Sequence, residues 1–141
     1  MPLLRLGVSV ETWPEAISAA GQLLVDGGHV QPAYVNEMIA VVEKLGPYIV
    51  LVEGFALAHA APGEQVLSNA IALAILEKPV DFGSQKLVQA VFALAAKDHD
   101  SHLDALARLA EVLADEQTRN SLLNERDTAQ IELLLSGVLG E

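Results

Sequence analysis

The 141-residue chain is 52% hydrophobic and 19% charged, a composition that excludes a disordered chain and suits one folded domain over residues 1–141. Its net charge of −11, without any basic cluster, argues against nucleic acid and anionic membrane surfaces as partners. The absence of cysteine excludes thiolate chemistry, disulfides and cysteine-based zinc sites, and it favours a cytoplasmic location.

The N-terminal third is predicted to hold one strand and two helices. Apolar residues alternate with small or polar ones over residues 4–10, the period of a strand with one buried face. A helical pattern follows and ends at two glycines, and Thr12 with Glu15 is expected to form a capping box at its start. A second helical pattern, over residues 32–45, ends at a Gly-Pro pair.

The middle of the chain is predicted to be mostly strand. Its first two segments are separated by a turn at Glu53-Gly54, and the third, residues 68–76, alternates large apolar residues with alanines. Residues 77–83 are expected to form a polar turn. The last segment is apolar on both faces, which places it at the centre of the sheet. The predicted strands span residues 48–52, 55–58, 68–76 and 87–95.

The C-terminal part is predicted to be helical. A strong helix is expected after residue 98, with Ser101 and Asp104 as its capping box. One or two further helical segments follow from residue 116. The residues predicted to face inward are Leu103, Leu106, Ala110 and Leu113 in the strong helix and Ile131, Leu134, Leu135 and Val138 in the tail.

The order of these elements predicts an α/β fold, a mixed β-sheet flanked by helices on both faces in a three-layer α/β/α sandwich. No internal repeat, linker or low-complexity segment divides the chain. The alanine-rich faces of the strands can pack in a homodimer or against the protein's own helices.

His59 is the leading candidate for chemistry. It directly follows a predicted strand, in a loop of small residues. Functional residues of α/β proteins usually lie in such loops. Small neighbours leave room for a tetrahedral phosphoryl group and for a partner surface. An imidazole, whose ordinary pKa is about 6.5, is largely neutral at cell pH and then has one nitrogen lone pair. The spacing alone leaves open that His59 is an ordinary loop histidine.

His102 is the second candidate, in the first turn of the helix after the predicted central strand. Helix N-termini favour anions and disfavour a charged imidazolium, so a neutral His102 can donate an N–H to a phosphoryl oxygen. A histidine that merely flanks a helix start fits the pattern as well. A metal pair of His99 and His102 lacks a third ligand, so no metal is expected. His29, which follows two glycines, is expected to be solvated.

Other chemical motifs do not occur in the sequence. It contains no phosphate-binding loop, no G-x-G-x-x-G fingerprint and no G-x-S-x-G serine elbow. Its apolar runs fall short of the roughly 20 residues that a membrane helix needs. We therefore expect no cofactor and no insertion into the membrane.

Four segments, in this order, resemble the enzyme IIA domains of the bacterial sugar phosphotransferase system. The resemblance is to the mannitol/fructose-type superfamily, and the Gly-Pro-Tyr-Ile-Val and His-Ala stretches point to its ascorbate-type branch. It covers nearly the whole chain. The segments are Tyr34–Ile39, Leu45–Val50, Ala56–Ala60 and His102–Leu106.

The resemblance implies a mixed sheet flanked by helices and a phosphohistidine carrier for the uptake of ascorbate or a related sugar or polyol. It implies that His59 is phosphorylated on Nε2. The phosphoryl group would come from the phosphocarrier protein HPr and pass to a cognate enzyme IIB. His102 matches the family's second active-site histidine, which supports the phosphoryl group.

Two positions beside His59 depart from the family pattern. Ala58 stands where relatives usually carry proline, and Ala61 where ascorbate-type relatives often carry arginine. These departures keep open a second role, a regulatory protein of the same fold whose phosphorylation state is read by a partner. A non-catalytic α/β module with incidental histidines is the third interpretation.

Overall fold

A five-stranded mixed sheet is the middle layer of the computed structural model, which describes residues 3–135. The strands lie in the order β1-β4-β5-β3-β2, so β5 is central, as its two apolar faces predicted. β1 is parallel to β4 and β3 is parallel to β5, whereas the β4–β5 and β2–β3 pairs are antiparallel. The strands are β1 (Leu4–Val8), β2 (Val50–Val52), β3 (Gly54–Ala58), β4 (Ala70–Asp81) and β5 (Leu87–Ala95).

Helices cover both faces of this sheet, which confirms the predicted three-layer α/β/α sandwich. The first two helices form one apolar core with the sheet, and the last three form a second core on the opposite face. Within residues 3–135 no helix is long and apolar enough to cross a bilayer. The helices are α1 (Trp13–Asp26), α2 (Ala33–Leu45), α3 (His99–Ala114), α4 (Glu116–Asn124) and α5 (Thr128–Leu134).

The alternation along β4 decides how closely each helical layer approaches. Ile71, Leu73 and Ile75 are buried in the core beneath α3, α4 and α5. The alanines at positions 70, 72 and 74 are buried in the core beneath α1 and α2. Because an alanine face is shallow, a helix can lie close against it. These alanines therefore pack against the chain's own helices, the second of the two arrangements that the sequence allowed.

The predicted C-terminal end of β4 is wrong. β4 continues through residues 77–81, where the sequence analysis placed a polar turn, and pairs with β5 as far as Asp81 opposite Leu87. The register shifts between Ile75 and Val80, and this stretch contains Pro79. A proline lacks the N–H that a sheet ladder needs, so it is tolerated at such an irregularity. The long partner strand extends β4 across residues whose local pattern favours a turn.

The predicted capping boxes do not form at either helix. The Thr12 hydroxyl donates to the Glu15 carboxylate at 2.9 Å, and the Thr12 side chain makes no hydrogen bond to the backbone of α1. α3 begins earlier than its predicted box, because Asp98 accepts a hydrogen bond from the Ser101 backbone N–H at 2.7 Å. Asp104 instead forms an ion pair with Arg108. His102 still falls in the first turn of α3.

The buried face of α3 also differs from the prediction. Leu113 is buried as predicted, but Leu103 is 51% exposed and Ala110 is exposed, and Ala105 and Leu109 are buried in their place. The sequence of α3 has apolar residues on more than one face, so periodicity did not single out the side that packs on the sheet.

The tail prediction holds in part. Ile131 and Leu135 are buried, but Leu134 is 38% exposed, so its predicted inward position is wrong. Val138 lies outside the described residues.

Candidate active site

The two candidate histidines meet because the strands that precede them are neighbours in the sheet. β3 and β5 run parallel, and Ala58, the last residue of β3, pairs with Ala93 near the end of β5. His59 directly follows β3, and α3, which carries His102, begins soon after β5. In an α/β sheet, ligands bind where the carboxyl ends of such strands meet. The topology thus brings both side chains to one edge.

The two imidazoles form a close pair at this edge. Their ring centroids are 5.1 Å apart and the ring planes are inclined at 62°. Both residues are half-buried, so neither is sealed inside the core. The prediction that the His59 and His102 rings lie close together is therefore confirmed.

A backbone hydrogen bond selects the tautomer of His59. Its Nδ1 lies 3.1 Å from the carbonyl oxygen of Leu57. A carbonyl oxygen only accepts, so Nδ1 must carry the proton and donate. In the neutral ring the lone pair then belongs to Nε2. Nε2 is thus the nitrogen of His59 whose lone pair is available to act as a nucleophile.

The environment of His102 keeps that ring neutral. Its pKa lies below the ordinary value, first because burial disfavours the charged form and then because charges on His59 and His99 would repel it. A neutral imidazole carries one N–H donor and one acceptor nitrogen. His102 can therefore donate a hydrogen bond to an anion held between the two rings.

This depressed pKa predicts a pH effect that can be measured. The NMR titration midpoint of the His102 ring is expected below about 6.5, the value for an unfolded histidine. The unfolded chain then binds a proton that the folded chain resists, so the free energy of unfolding should fall as the pH drops below about 6.5. Urea unfolding at several pH values measures this fall.

The matched variant for this effect is His102→Gln, which cannot titrate. Its free energy of unfolding should depend less steeply on pH in the same window. A His102 midpoint at or above 6.5 would contradict the assignment of a neutral ring.

The hydroxyl of Tyr34, a residue for which the sequence predicted no chemical role, lies beside the site. The side chain is buried on α2. Its oxygen accepts the backbone N–H of Ala60 at 3.1 Å and donates to the Leu94 carbonyl at 2.8 Å. Burial raises the pKa of Tyr34 to about 12, so the hydroxyl stays protonated at neutral pH. The available sequence signal was a tyrosine on an apolar helix stripe, since a buried tyrosine needs a partner for its hydroxyl.

The expectation that His29 is simply solvated is wrong. Its side chain is half-buried, and its Nδ1 lies 2.6 Å from the Ser68 hydroxyl oxygen. Its carbonyl oxygen accepts the backbone N–H groups of both Leu67 and Ser68. His29 therefore ties the connection between α1 and α2 to the far end of the loop that His59 begins.

Asn69 fastens the same loop to the start of α3. Its side-chain oxygen accepts the Lys97 backbone N–H at 2.7 Å, and its amide nitrogen donates to the Ser101 hydroxyl at 3.2 Å.

His99 is exposed at the first position of α3. In the part of the chain that the structure describes, no group of three or more His, Cys, Asp or Glu residues is placed to hold a metal ion.

A cavity of about 420 Å³ lies elsewhere, at the opposite end of the same strands. Gly54 at the start of β3 and Leu87 at the start of β5 line it, together with Arg119 of α4. These residues are at the amino ends of the strands, whereas His59 and His102 are at the carboxyl ends. The cavity is therefore separate from the histidine pair.

Comparison with known proteins gives consistent matches. The family model that matches residues 3–137 is described as "Phosphoenolpyruvate-dependent sugar phosphotransferase system, EIIA 2". The chain is 32% identical over 122 residues to the ascorbate-specific PTS system EIIA component of Shigella boydii serotype 4 (strain Sb227). That alignment spans 84% of this chain and 79% of the relative.

Solved structures agree with this match. A PTS IIA domain from Streptococcus pyogenes M1 GAS superposes with a TM-score of 0.86 at 36% identity, over 94% of this chain and 86% of that chain. A complex of enzyme IIA Mtl and phosphorylated enzyme IIB Mtl from Escherichia coli gives a TM-score of 0.86 at 29% identity. It covers 96% of this chain and 94% of that chain.

Proposed function

The chain belongs to the EIIA 2 family of the phosphoenolpyruvate-dependent sugar phosphotransferase system, and from this premise we propose that His59 is its phosphorylated residue. Members of this family are phosphotransferase components that work through a phosphohistidine intermediate in sugar uptake. The observation that carries the proposal is the Nδ1–H of His59 bound to the Leu57 carbonyl, which leaves the lone pair on Nε2. The proposed role of the chain is thus to carry a phosphoryl group on this nitrogen.

The transfer step needs no proton movement at His59. The Nε2 lone pair attacks phosphorus, the new N–P bond forms, and the N–P bond to the donor's imidazole breaks. The donor phosphohistidine enters with its other ring nitrogen protonated, so its imidazole leaves neutral. The Nδ1 proton of His59 stays on the ring, still donated to Leu57. Phosphoryl transfer asks a protein mainly for such positioning and for hydrogen-bond donors to the phosphoryl oxygens.

We assign His102 as a donor to the phosphoryl group. The 5.1 Å separation of the ring centroids leaves the two side chains within reach of one tetrahedral group. Because its pKa is depressed, His102 remains neutral and offers an N–H. This role matters more here because Ala61 stands where ascorbate-type relatives often carry an arginine.

The proposed partners are HPr as the donor and a cognate enzyme IIB as the acceptor. The Escherichia coli complex of enzyme IIA Mtl with phosphorylated enzyme IIB Mtl supports the second partner by similarity.

We place the whole exchange in the cytoplasm and assign it to a single domain over residues 1–141. The sequence also allowed a homodimer, but the alanine faces of β4 that suggested one pack inside the chain.

A phosphorylation assay tests this function. Incubation of the wild-type chain with enzyme I, HPr and phosphoenolpyruvate is expected to give an acid-labile adduct, which mass spectrometry should place on His59. The matched control omits HPr and should give no adduct. An adduct on any other residue, or none at all, would contradict the proposal. An adduct that no enzyme IIB accepts would favour the regulatory alternative over transport.

A further inference from the structure

The Tyr34 hydroxyl lies between the ends of the two strands that lead to the histidines. It accepts the Ala60 backbone N–H at 3.1 Å, and Ala60 directly follows His59. It donates to the carbonyl of Leu94, in the last part of β5, at 2.8 Å. The side chain is only 1% exposed, so these polar contacts are made without competing water.

His59 is consequently held from both sides along the chain. Ala58, before it, is paired with Ala93 of β5. Ala60, after it, is outside the strand but is held to the end of β5 through Tyr34. Two anchored neighbours leave the Cα of His59 little freedom relative to β5. Because α3 follows β5, the same anchors relate His59 to His102.

We propose that Tyr34 is a positioning residue for phosphoryl transfer, whose hydroxyl sets the placement of the His59 ring relative to His102. This inference rests on the proposed function of His59. Tyr34 acts through the backbone of Ala60 and does not touch the phosphoryl group. Its hydroxyl remains protonated at neutral pH, so it does not serve as a base.

Removal of the hydroxyl alone isolates this role. Tyr34→Phe keeps the buried ring and its packing but leaves the Ala60 N–H and the Leu94 carbonyl without this partner. The residues after Ala58 can then move relative to β5. Since small misplacement of a reacting group can cost up to about 100-fold in rate, a partial loss is expected.

The experiment compares Tyr34→Phe with Tyr48→Phe, the matched control. Tyr48 is 80% exposed, so the same chemical change there should leave transfer unaffected. Single-turnover phosphoryl uptake is measured at increasing concentrations of phosphorylated HPr. For Tyr34→Phe we expect the rate at saturating HPr to fall on the order of 10-fold. The HPr concentration that gives half of that rate should stay the same, because the donor surface is intact.

A second readout does not depend on phosphorylation. The NMR titration midpoint of His102 responds to the charge on His59, so it should shift in Tyr34→Phe and stay constant in Tyr48→Phe. A loss of stability alone would not produce this shift in the folded protein. Wild-type rate together with an unchanged His102 midpoint in Tyr34→Phe would overturn the inference.

The failure of this inference and the failure of the proposed function are distinguishable. If the wild-type chain takes up no phosphoryl group, the function proposed for His59 fails. The His102 midpoint in Tyr34→Phe then tests by itself whether Tyr34 sets the placement of the His59 ring relative to His102. If Tyr34→Phe does not fold, amide hydrogen exchange in the wild-type chain decides instead. Slow exchange of the Ala60 N–H supports the anchor, and exchange as fast as at an exposed amide overturns it.

Discussion

Replacement of His59 by alanine is expected to abolish formation of the acid-labile phosphoryl adduct. The variant loses the proposed nucleophile, and no other ring in the described part of the chain combines its features. The Nδ1–H of His59 is held by the Leu57 carbonyl, and the ring lies 5.1 Å from His102. Measurement of radiolabel transferred from phosphorylated HPr should show no incorporation above a control without chain.

The matched control for this variant is His99→Ala. His99 is an exposed histidine near the same edge of the sheet, so its loss removes an imidazole without removing the proposed nucleophile. We expect full incorporation with this control. Because His59 is half-buried in a loop, His59→Ala should remain folded, and a thermal unfolding curve checks this. Persistent labelling of folded His59→Ala would contradict the assignment.

Replacement of His102 by alanine is expected to slow transfer while leaving His59 as the labelled residue. The variant lacks one N–H donor to the charged phosphoryl oxygens, and such a hydrogen bond contributes about 1.5–3 kcal/mol. If the contact is stronger in the transition state, this energy corresponds to a rate loss of roughly 10- to 150-fold. Quench-flow measurement of label transfer from phosphorylated HPr gives the rate directly.

His102→Gln separates the donor role from simple loss of a side chain. Glutamine keeps an N–H donor but cannot titrate, so it should recover part of the lost rate. Its rate should also depend less on pH below about 6.5, where the wild-type ring begins to gain a proton. Label found on His102 and not on His59 in the wild-type chain would show that the two roles are reversed.

The local sequence pattern predicted structure correctly where a residue's environment depends mainly on its neighbours in the sequence. The alternation of Ile71, Leu73 and Ile75 with alanines predicted the two faces of β4 correctly, because successive side chains of a strand point to opposite sides. The apolar pattern of residues 87–95 likewise predicted the central strand. The loop of small residues after β3 marked His59.

Local pattern was a poor guide at the ends and faces of elements. The turn predicted over residues 77–83 is largely strand, because the partner strand β5 supplies pairing that the local sequence does not reveal. The buried face of α3 contains Ala105 and Leu109 instead of Leu103 and Ala110. Several faces of that helix are apolar enough, and contact with the sheet selects one of them.

The sequence by itself determined the α/β class, the two apolar faces of the sheet and the nomination of His59 and His102, since these follow from periodicity and from the family's motifs. Only the tertiary structure decided that β3 and β5 are parallel neighbours, which is why the two rings stand 5.1 Å apart. It alone placed the Tyr34 hydroxyl between Ala60 and Leu94. Such contacts join residues distant in the chain, and no local pattern encodes which distant partners will meet.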